Sequence, residues 1–543
     1  MNALRALAAA LLAAVVATVL VAPAWAAPRT PVEPSAADVT AWLDGMVPAL
    51  IDSREVAGGV VVAVVSGGQT VALRGYGAAD ADAATRATTP LDPERHLVRV
   101  GSITKTMTSI AVLRLVEDGR LDLDTDVQTY LDFPLAAPRG AVTLRDLLSH
   151  TAGFEERFAG LDSHTAEGMA SLRQVVSTDQ PEQIFTPGEV AAYSNYGLDL
   201  AGYIVEHVTG VPYEVHIDST ILTPLGMTSS TAAQPPAAEL ASRVAAGFAE
   251  RGSEPGAFEF IASRPAGSVS ASAADMATYM NALLGHGGDD VIPSAVRTRI
   301  IEAGAMDDDL SKAGYMALGF HHEDLGGHHV LGHGGDTMLF HTQLSIAPEA
   351  DLGIFVGMTG GATGDVRGEI ERAFWRRYLA PTPAWEERPA GSAERAAAVA
   401  GTWRFTRRAE SSFLAAISPT ERISATADGD LVALGETWRE VEPWVWQDDA
   451  GEARIAGRVH DGSVVAVAPT GYFAATPGGL LTSSETALTA LVALAVFAVA
   501  AVTFGGEGCG ACGDAGRLRE RAQWRRARPV VGPAGSSSRR WSR

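Results

Sequence analysis

Cysteine is almost missing from this sequence: Cys509 and Cys512 are the two it has in 543 residues. No disulfide can form upstream of them, so that part must hold together by an ordinary apolar core. Their C-x-x-C spacing is that of redox and zinc sites. No second pair accompanies it, and the setting, GGEGCGACGDAG, is glycine-rich, so it is read as neither. Lysine is the second scarcity. Of 42 basic residues only Lys105 and Lys312 are lysine, and arginine serves everywhere else. Basic charge as a whole is outweighed, with 64 acidic residues and a net charge of −22. A surface that acidic excludes nucleic acid as a partner.

Each end of the chain carries a long apolar run. Residues 1–26 carry one early arginine, an apolar stretch and Ala24-Trp25-Ala26 before a Pro-rich leader, the layout of a secretory signal peptide cut after Ala26. Residues 487–504 are uncharged, and as a helix they would span about 27 Å, enough for a hydrocarbon core. Nine arginines follow in residues 505–543, and that flank places the tail in the cytoplasm. The expectation is a single-pass protein of the cell membrane, tethered by a C-terminal transmembrane helix, with the bulk of the chain outside.

Between those ends the patterns change along the chain. "VVVAVVSGGQTVALRGYG" reads as two strands joined at a Gly-Gly turn. A helical pattern runs from Thr104 to Glu117 and stops at Gly119; others are "SNYGLDLAGYIVEHVTG", closed by Gly210, and "SASAADMATYMNALLG", closed by Gly285. Strand patterns return in "MALGFHHEDLGGHHVLGHGGD" and "LFHTQLSIAPEADLGIFVGM". Strands at both ends with helices between them predict one sheet built from distant parts of the chain, an α+β class. The stretch 379–397, rich in Pro, Ala and charge, reads as a linker between a domain at 36–378 and a small β domain at 398–475. The latter has short Trp- and Val-rich runs that suit a barrel or sandwich, and it shows no compact catalytic cluster.

The scarcity of lysine points at Lys105, which follows Ser102 by three residues. Positions i and i+3 share a helix face, so hydroxyl and amine can approach each other. A serine hydroxyl needs a neighbouring base to become a nucleophile. Arginine stays protonated, whereas burial can lower a lysine enough to serve. Two further segments carry usable chemistry. "PGEVAAYSNYG" supplies Tyr193, which beside a cationic amine can ionise in part and move protons, and Asn195, whose amide can meet a substrate carbonyl. "LGHGGDTMLF" supplies His333, Gly334 and Gly335, and two glycines in a strand suit a close approach by a ligand.

The order S-x-x-K, Y-S-N, H-G-G resembles the serine β-lactamase and penicillin-binding protein superfamily, in its class C β-lactamase, D-alanyl-D-alanine carboxypeptidase and esterase branch. The phrases "DLLSHTAGF", "PLGMTSST" and "PAGSVSASAADM" resemble that branch too. The resemblance implies a β-lactamase/transpeptidase-like fold, an antiparallel sheet flanked by helices plus a helical lobe, with the site between them. It also implies an acyl-enzyme: Ser102 as nucleophile, Lys105 and Tyr193 as a coupled base, Asn195 orienting the acyl side chain, and the backbone N–H groups of Ser102 and Asp336 as oxyanion hole. That branch usually carries Lys-Thr/Ser-Gly where this chain has His333-Gly334-Gly335. Histidine is only partly charged near neutrality, so strong β-lactam turnover gives way to esters and D-amino-acid peptides, with His333 shaping substrate preference.

Five histidines, His321, His322, His328, His329 and His333, crowd one hairpin. Adjacent strand residues face opposite ways, so no three converge, and they are read as exposed, with no metal and no cofactor. The partner implied is a small-molecule or peptide acyl substrate of cell-wall type. The alternative reading is a penicillin- or peptidoglycan-binding sensor, or a non-catalytic cell-wall binding protein.

Overall fold

The run Gly59–Ser66 is apolar at every position but its last because both of its faces are covered. A computed structural model describes residues 31–81, 88–163, 165–379, 388–412, 414–415, 418–470 and 473–478. Its main sheet has strands β1 (Gly59–Ser66), β2 (Gln69–Ala81), β3 (Thr88–Pro90), β4 (Tyr315–Ala317), β5 (Phe320–Leu325), β6 (His328–Asp336), β7 (His341–Ala347) and β8 (Leu352–Met358). Their order across the sheet is β3-β2-β1-β8-β7-β6-β5-β4, so the first and last segments pair at its centre. Val60 lies opposite Met358 and Ser66 opposite Leu352, all antiparallel.

The helices used below are α1 (Ala36–Ser53), α2 (Thr104–Glu117), α3 (Asn195–Thr209), α4 (Ala273–Leu284) and α5 (Val366–Tyr378). Alternation along β1 divides the core between them. Val61, Ala63 and Val65 join the cluster of Ile110, Met276 and Met280, from α2 and α4. Val60, Val62 and Val64 join Val39, Leu43 and Phe374, from α1 and α5, on the other face. The helical lobe gathers around α2, whose residues from Thr104 to Leu113 are all buried. The helix ends match the stops read from sequence, Gly210 and Gly285 both adopting the left-handed conformation, and Ser272 caps the start of α4 by accepting from Asp275 N–H.

Residues 401–477 form a closed barrel of eight antiparallel strands, sealed where Trp403 meets Pro477 and Phe405 meets Ala475. Trp403, Trp438 and Trp446 fill its core. One outer face is made of Ala456, Ala466, Ala468 and Ala474, and it packs on Phe185, Val190, Ala192 and Leu310 of the sheet-and-helix unit. Small side chains let the two backbones approach closely there. Among the described residues no helix is long and apolar enough to cross a membrane. The signal segment 1–26, the apolar run 487–504 and the tail 505–543 lie outside the described residues.

Candidate active site

Ser102 sits in a single 3-10 turn, Gly101–Ile103, that leads directly into α2. Lys105 in the first helical turn therefore points back at it. The lysine is 0% exposed, and its Nζ lies 2.8 Å from Ser102 Oγ, Asn195 Oδ1 and the Ala266 carbonyl oxygen. All three neighbours are neutral. Burial pulls the amine down to about 7, helped by the Arg407 guanidinium and opposed by Glu156 and Asp199. An uncharged amine has two hydrogens and one lone pair. Donating to Asn195 and Ala266 leaves that lone pair for the Ser102 hydroxyl.

Asn195 opens α3, after Ser194 in extended conformation. Its Oδ1 accepts from Lys105, while its Nδ2 faces both Glu156 carboxylate oxygens at 3.4 Å. The amide read from sequence as a contact for a substrate carbonyl is thus directed at a protein carboxylate. Tyr193 is buried and stacks on His150, ring centroids 4.2 Å apart; its ring lies 4.9 Å from Lys105 Nζ, and its hydroxyl lies near Ser102. Partial ionisation of this tyrosine was expected from the nearby amine. The structure corrects that: burial outweighs every cation and drives the phenol upward, so it stays protonated.

Of the two glycines after His333, Gly335 lets two backbone segments of the chain itself approach. A Cβ on Gly335 would lie 2.0 Å from the Val100 carbonyl oxygen, and one on Gly101 would lie 2.8 Å from Asp336 N. Gly335 thus lies close against the chain's own Gly101–Ile103 turn, while Gly334 lines the cavity. Gly101 also has φ +52°, which favours glycine. That contact sets the Asp336 backbone beside Ser102, while its carboxylate is held by His341 Nδ1 at 2.7 Å and Arg367 Nη2 at 2.9 Å.

The hairpin histidines are another correction. His321, His322 and His333 are buried, and His328 and His329 half-buried. Four of them form two pairs: His321 beside His333, centroids 4.4 Å apart, and His322 with His329, ring nitrogens 3.0 Å apart. His322 also stacks on Tyr315. Burial, then the nearby Lys105, holds His333 neutral and well below its usual range, so it is not the partly charged group expected. Its Nδ1 donates to the Gly334 carbonyl at 2.5 Å. Among the described residues no group of three His, Cys, Asp or Glu could hold a metal ion.

Sequence reasoning missed what the barrel brings. Its 406–411 segment is strapped to the catalytic unit: Thr406 Oγ1 donates to the Ala191 carbonyl at 2.6 Å, and Glu155 accepts from Glu410 N and Ser411 N. Arg407 Nε donates to Glu156 Oε2 at 2.9 Å, and its guanidinium lies 4.7 Å from the Tyr193 ring centroid. The available signal was "FEERF", two adjacent acids in an apolar phrase, since buried carboxylates require partners. Ser102, Tyr193, Asn195, His333, Gly334 and Asp336 all line one cavity of about 440 Å³, with Arg407 and Phe473 of the barrel as its far wall. Ser102, Lys105, Tyr193, Asn195 and His333 therefore meet, as do Gly334, Gly335 and Asp336.

Known proteins resemble this chain in sequence and in fold. A family model described as Beta-lactamase matches residues 43–380. Protein flp of Staphylococcus aureus (strain MRSA252) is 29% identical over 178 residues, covering 32% of this chain and 34% of flp. Esterase EstB of Burkholderia gladioli is 32% identical over 212 residues, covering 35% of this chain and 51% of EstB. The chain thus spans about a third to a half of the curated relatives it matches. The structure of a D-amino acid amidase from Ochrobactrum anthropi SV3 shares the fold at a TM-score of 0.51 and 22% identity, covering 63% of this chain and 98% of that one.

Proposed function

Since the chain belongs to the Beta-lactamase family, we propose that it is a serine hydrolase working through an acyl-enzyme on esters, D-amino-acid amides or peptides, and weakly on β-lactams. The observation that carries this is the buried Lys105, 2.8 Å from Ser102 Oγ and brought down to about 7. Lys105 accepts the Ser102 proton as Oγ bonds to the substrate carbonyl carbon. The resulting oxyanion meets the backbone N–H groups of Ser102 and Asp336; losing one such donor costs about 3 kcal/mol. The carbonyl re-forms, the leaving group departs, and Tyr193, a phenol near Ser102, relays the proton to it. Water then attacks the acyl-enzyme by the same steps in reverse, restoring Ser102 and releasing the acid.

The uncharged His333 supports weak turnover of β-lactams, because it supplies no cation at its own strand position. The names of EstB and of the D-amino acid amidase fit the same class. Export by the 1–26 segment and a membrane anchor at 487–504 complete the proposal and place the site outside the cell. Labelling with a fluorophosphonate and steady turnover of p-nitrophenyl esters, both lost in Ser102→Ala, are the expected results. Labelling without turnover would leave a sensor, and no labelling a binding protein. Protease digestion of intact cells tests the location.

A further inference from the structure

Arg407 reaches the catalytic cavity from a different part of the chain from every residue assigned to the reaction. Its side chain keeps 31% of its surface accessible, whereas the Glu156 behind it keeps none. Nε is committed to Glu156. Neither Nη atom has a hydrogen-bond acceptor among the described residues, and both belong to a side chain that walls the cavity. A guanidinium held by its Nε on a carboxylate and by its face on Tyr193 and Phe158 presents a fixed pair of donors, the geometry that takes a carboxylate bidentately.

The other basic groups nearby are not placed to do this. Lys105 directs its nitrogen at three protein atoms. Arg367 uses Nη1 on the Gly335 and Thr342 carbonyls and Nη2 on Asp336. The remaining cavity wall mixes apolar Leu161, Ile261 and Phe473 with polar Asp162, Thr337 and Gln343. The guanidinium lies 4.7 Å from the ring of Tyr193, whose hydroxyl lies near Ser102. A carboxylate bound there and a carbonyl at Ser102 would therefore occupy one cavity.

We propose that Arg407, delivered by the barrel, is a specificity residue that binds a substrate carboxylate, and that the preferred substrates are esters or amides with a free carboxylate beyond a short apolar spacer. The inference rests on the hydrolase reading for its chemistry and adds the substrate class to it.

The test uses the full-length chain and two matched pairs of esters. In p-nitrophenyl hydrogen adipate against p-nitrophenyl hexanoate, the carboxylate is on the acyl group. In 3-acetoxybenzoate against phenyl acetate, it is on the leaving group. The wild type is expected to prefer the charged member of one pair by tenfold or more in kcat/KM, and the pair that shows it identifies the side. That ratio should collapse toward one in Arg407→Gln and in the double variant Glu156→Gln/Arg407→Gln, which avoids an unpaired buried carboxylate. Arg407→Lys should retain part of it. Turnover of the neutral esters with no charge preference, or a preference that survives Arg407→Gln, would overturn the proposal and leave the hydrolase reading intact. If no ester is turned over, the hydrolase reading fails, and calorimetry of adipate monoamide against hexanamide on the Ser102→Ala protein still decides: tighter binding of the acid, lost with Arg407→Gln, supports the site, and equal binding overturns it.

Discussion

Lys105 and Arg395 are both sheltered cations, and the two parts of the molecule treat them in opposite ways. On the helix Ser392–Val399 that leads into the barrel, Arg395 donates Nε and Nη2 to the two oxygens of Glu440 at 2.6 and 2.9 Å, and Glu440 is wholly buried. That hydrogen-bonded carboxylate raises Arg395 above its ordinary value, so its charge is fixed. In the catalytic unit, Lys105 finds a hydroxyl, an amide and a carbonyl, and no carboxylate touches it. Burial then decides, and the proton becomes labile near neutrality. Placing the acids one residue further out, at Glu156 and Asp199, is what separates a reactive cation from a structural one.

The comparison breaks most sharply at the lysine itself. Lys105→Arg keeps the charge and removes the titration, since a guanidinium cannot serve as base. It should lower kcat/KM on p-nitrophenyl esters by about a thousandfold or more, in the range seen when a general base is lost. Activity within tenfold of wild type would contradict the base assignment. The barrel pair should respond in stability. Glu440→Gln removes the partner of Arg395 and is expected to cost about 3 kcal/mol, read as a lower urea midpoint with turnover per folded molecule preserved. A loss of turnover with no change in midpoint would reverse the contrast drawn here.

Two smaller effects sharpen the same contrast. Lys105 must be uncharged to accept a proton, so kcat/KM should climb as pH rises through about 7 and level off above it. A profile still climbing beyond pH 9 would mean that the amine is not depressed. Arg407 is one cause of that depression. In Arg407→Gln the midpoint of the climb should therefore move to higher pH, and in Glu156→Gln to lower pH. Movement in the reverse directions would show that the barrel does not act on the lysine electrostatically.

What the sequence disclosed follows from how far each interaction reaches along the chain. Ser102 and Lys105 are one helical turn apart, so their meeting is a local consequence of α2 and could be read from spacing. The helix stops at Gly119, Gly210 and Gly285 are equally local, as is the hairpin at Gly67-Gly68. The α+β class was legible because strand patterns occur at both ends of the 36–378 stretch. The histidine hairpin was misread because alternation says which residues share a face and says nothing about what covers it. Both of its faces are occupied, one pair against the active site and the other against Tyr315. Arg407 was illegible for a related reason: its place depends on the barrel docking by an alanine face, and no spacing within 398–475 encodes that. Tyr193 and His333 were located but given the wrong charge behaviour, because burial is a property of the folded molecule.

The central pairing of β1 with β8 has a consequence in time. Gly59 N–H donates to Thr359 Oγ1 across 300 residues. A chain made from its N-terminus holds its first two sheet strands unpartnered on one side until that late segment arrives, and such distant closure is slow. The strand that carries His333 and Asp336 belongs to the same late segment, so the nascent chain carries Ser102 well before it carries the oxyanion site. Ser102 therefore waits for Asp336, which is made roughly three-fifths of the way along the 543 residues.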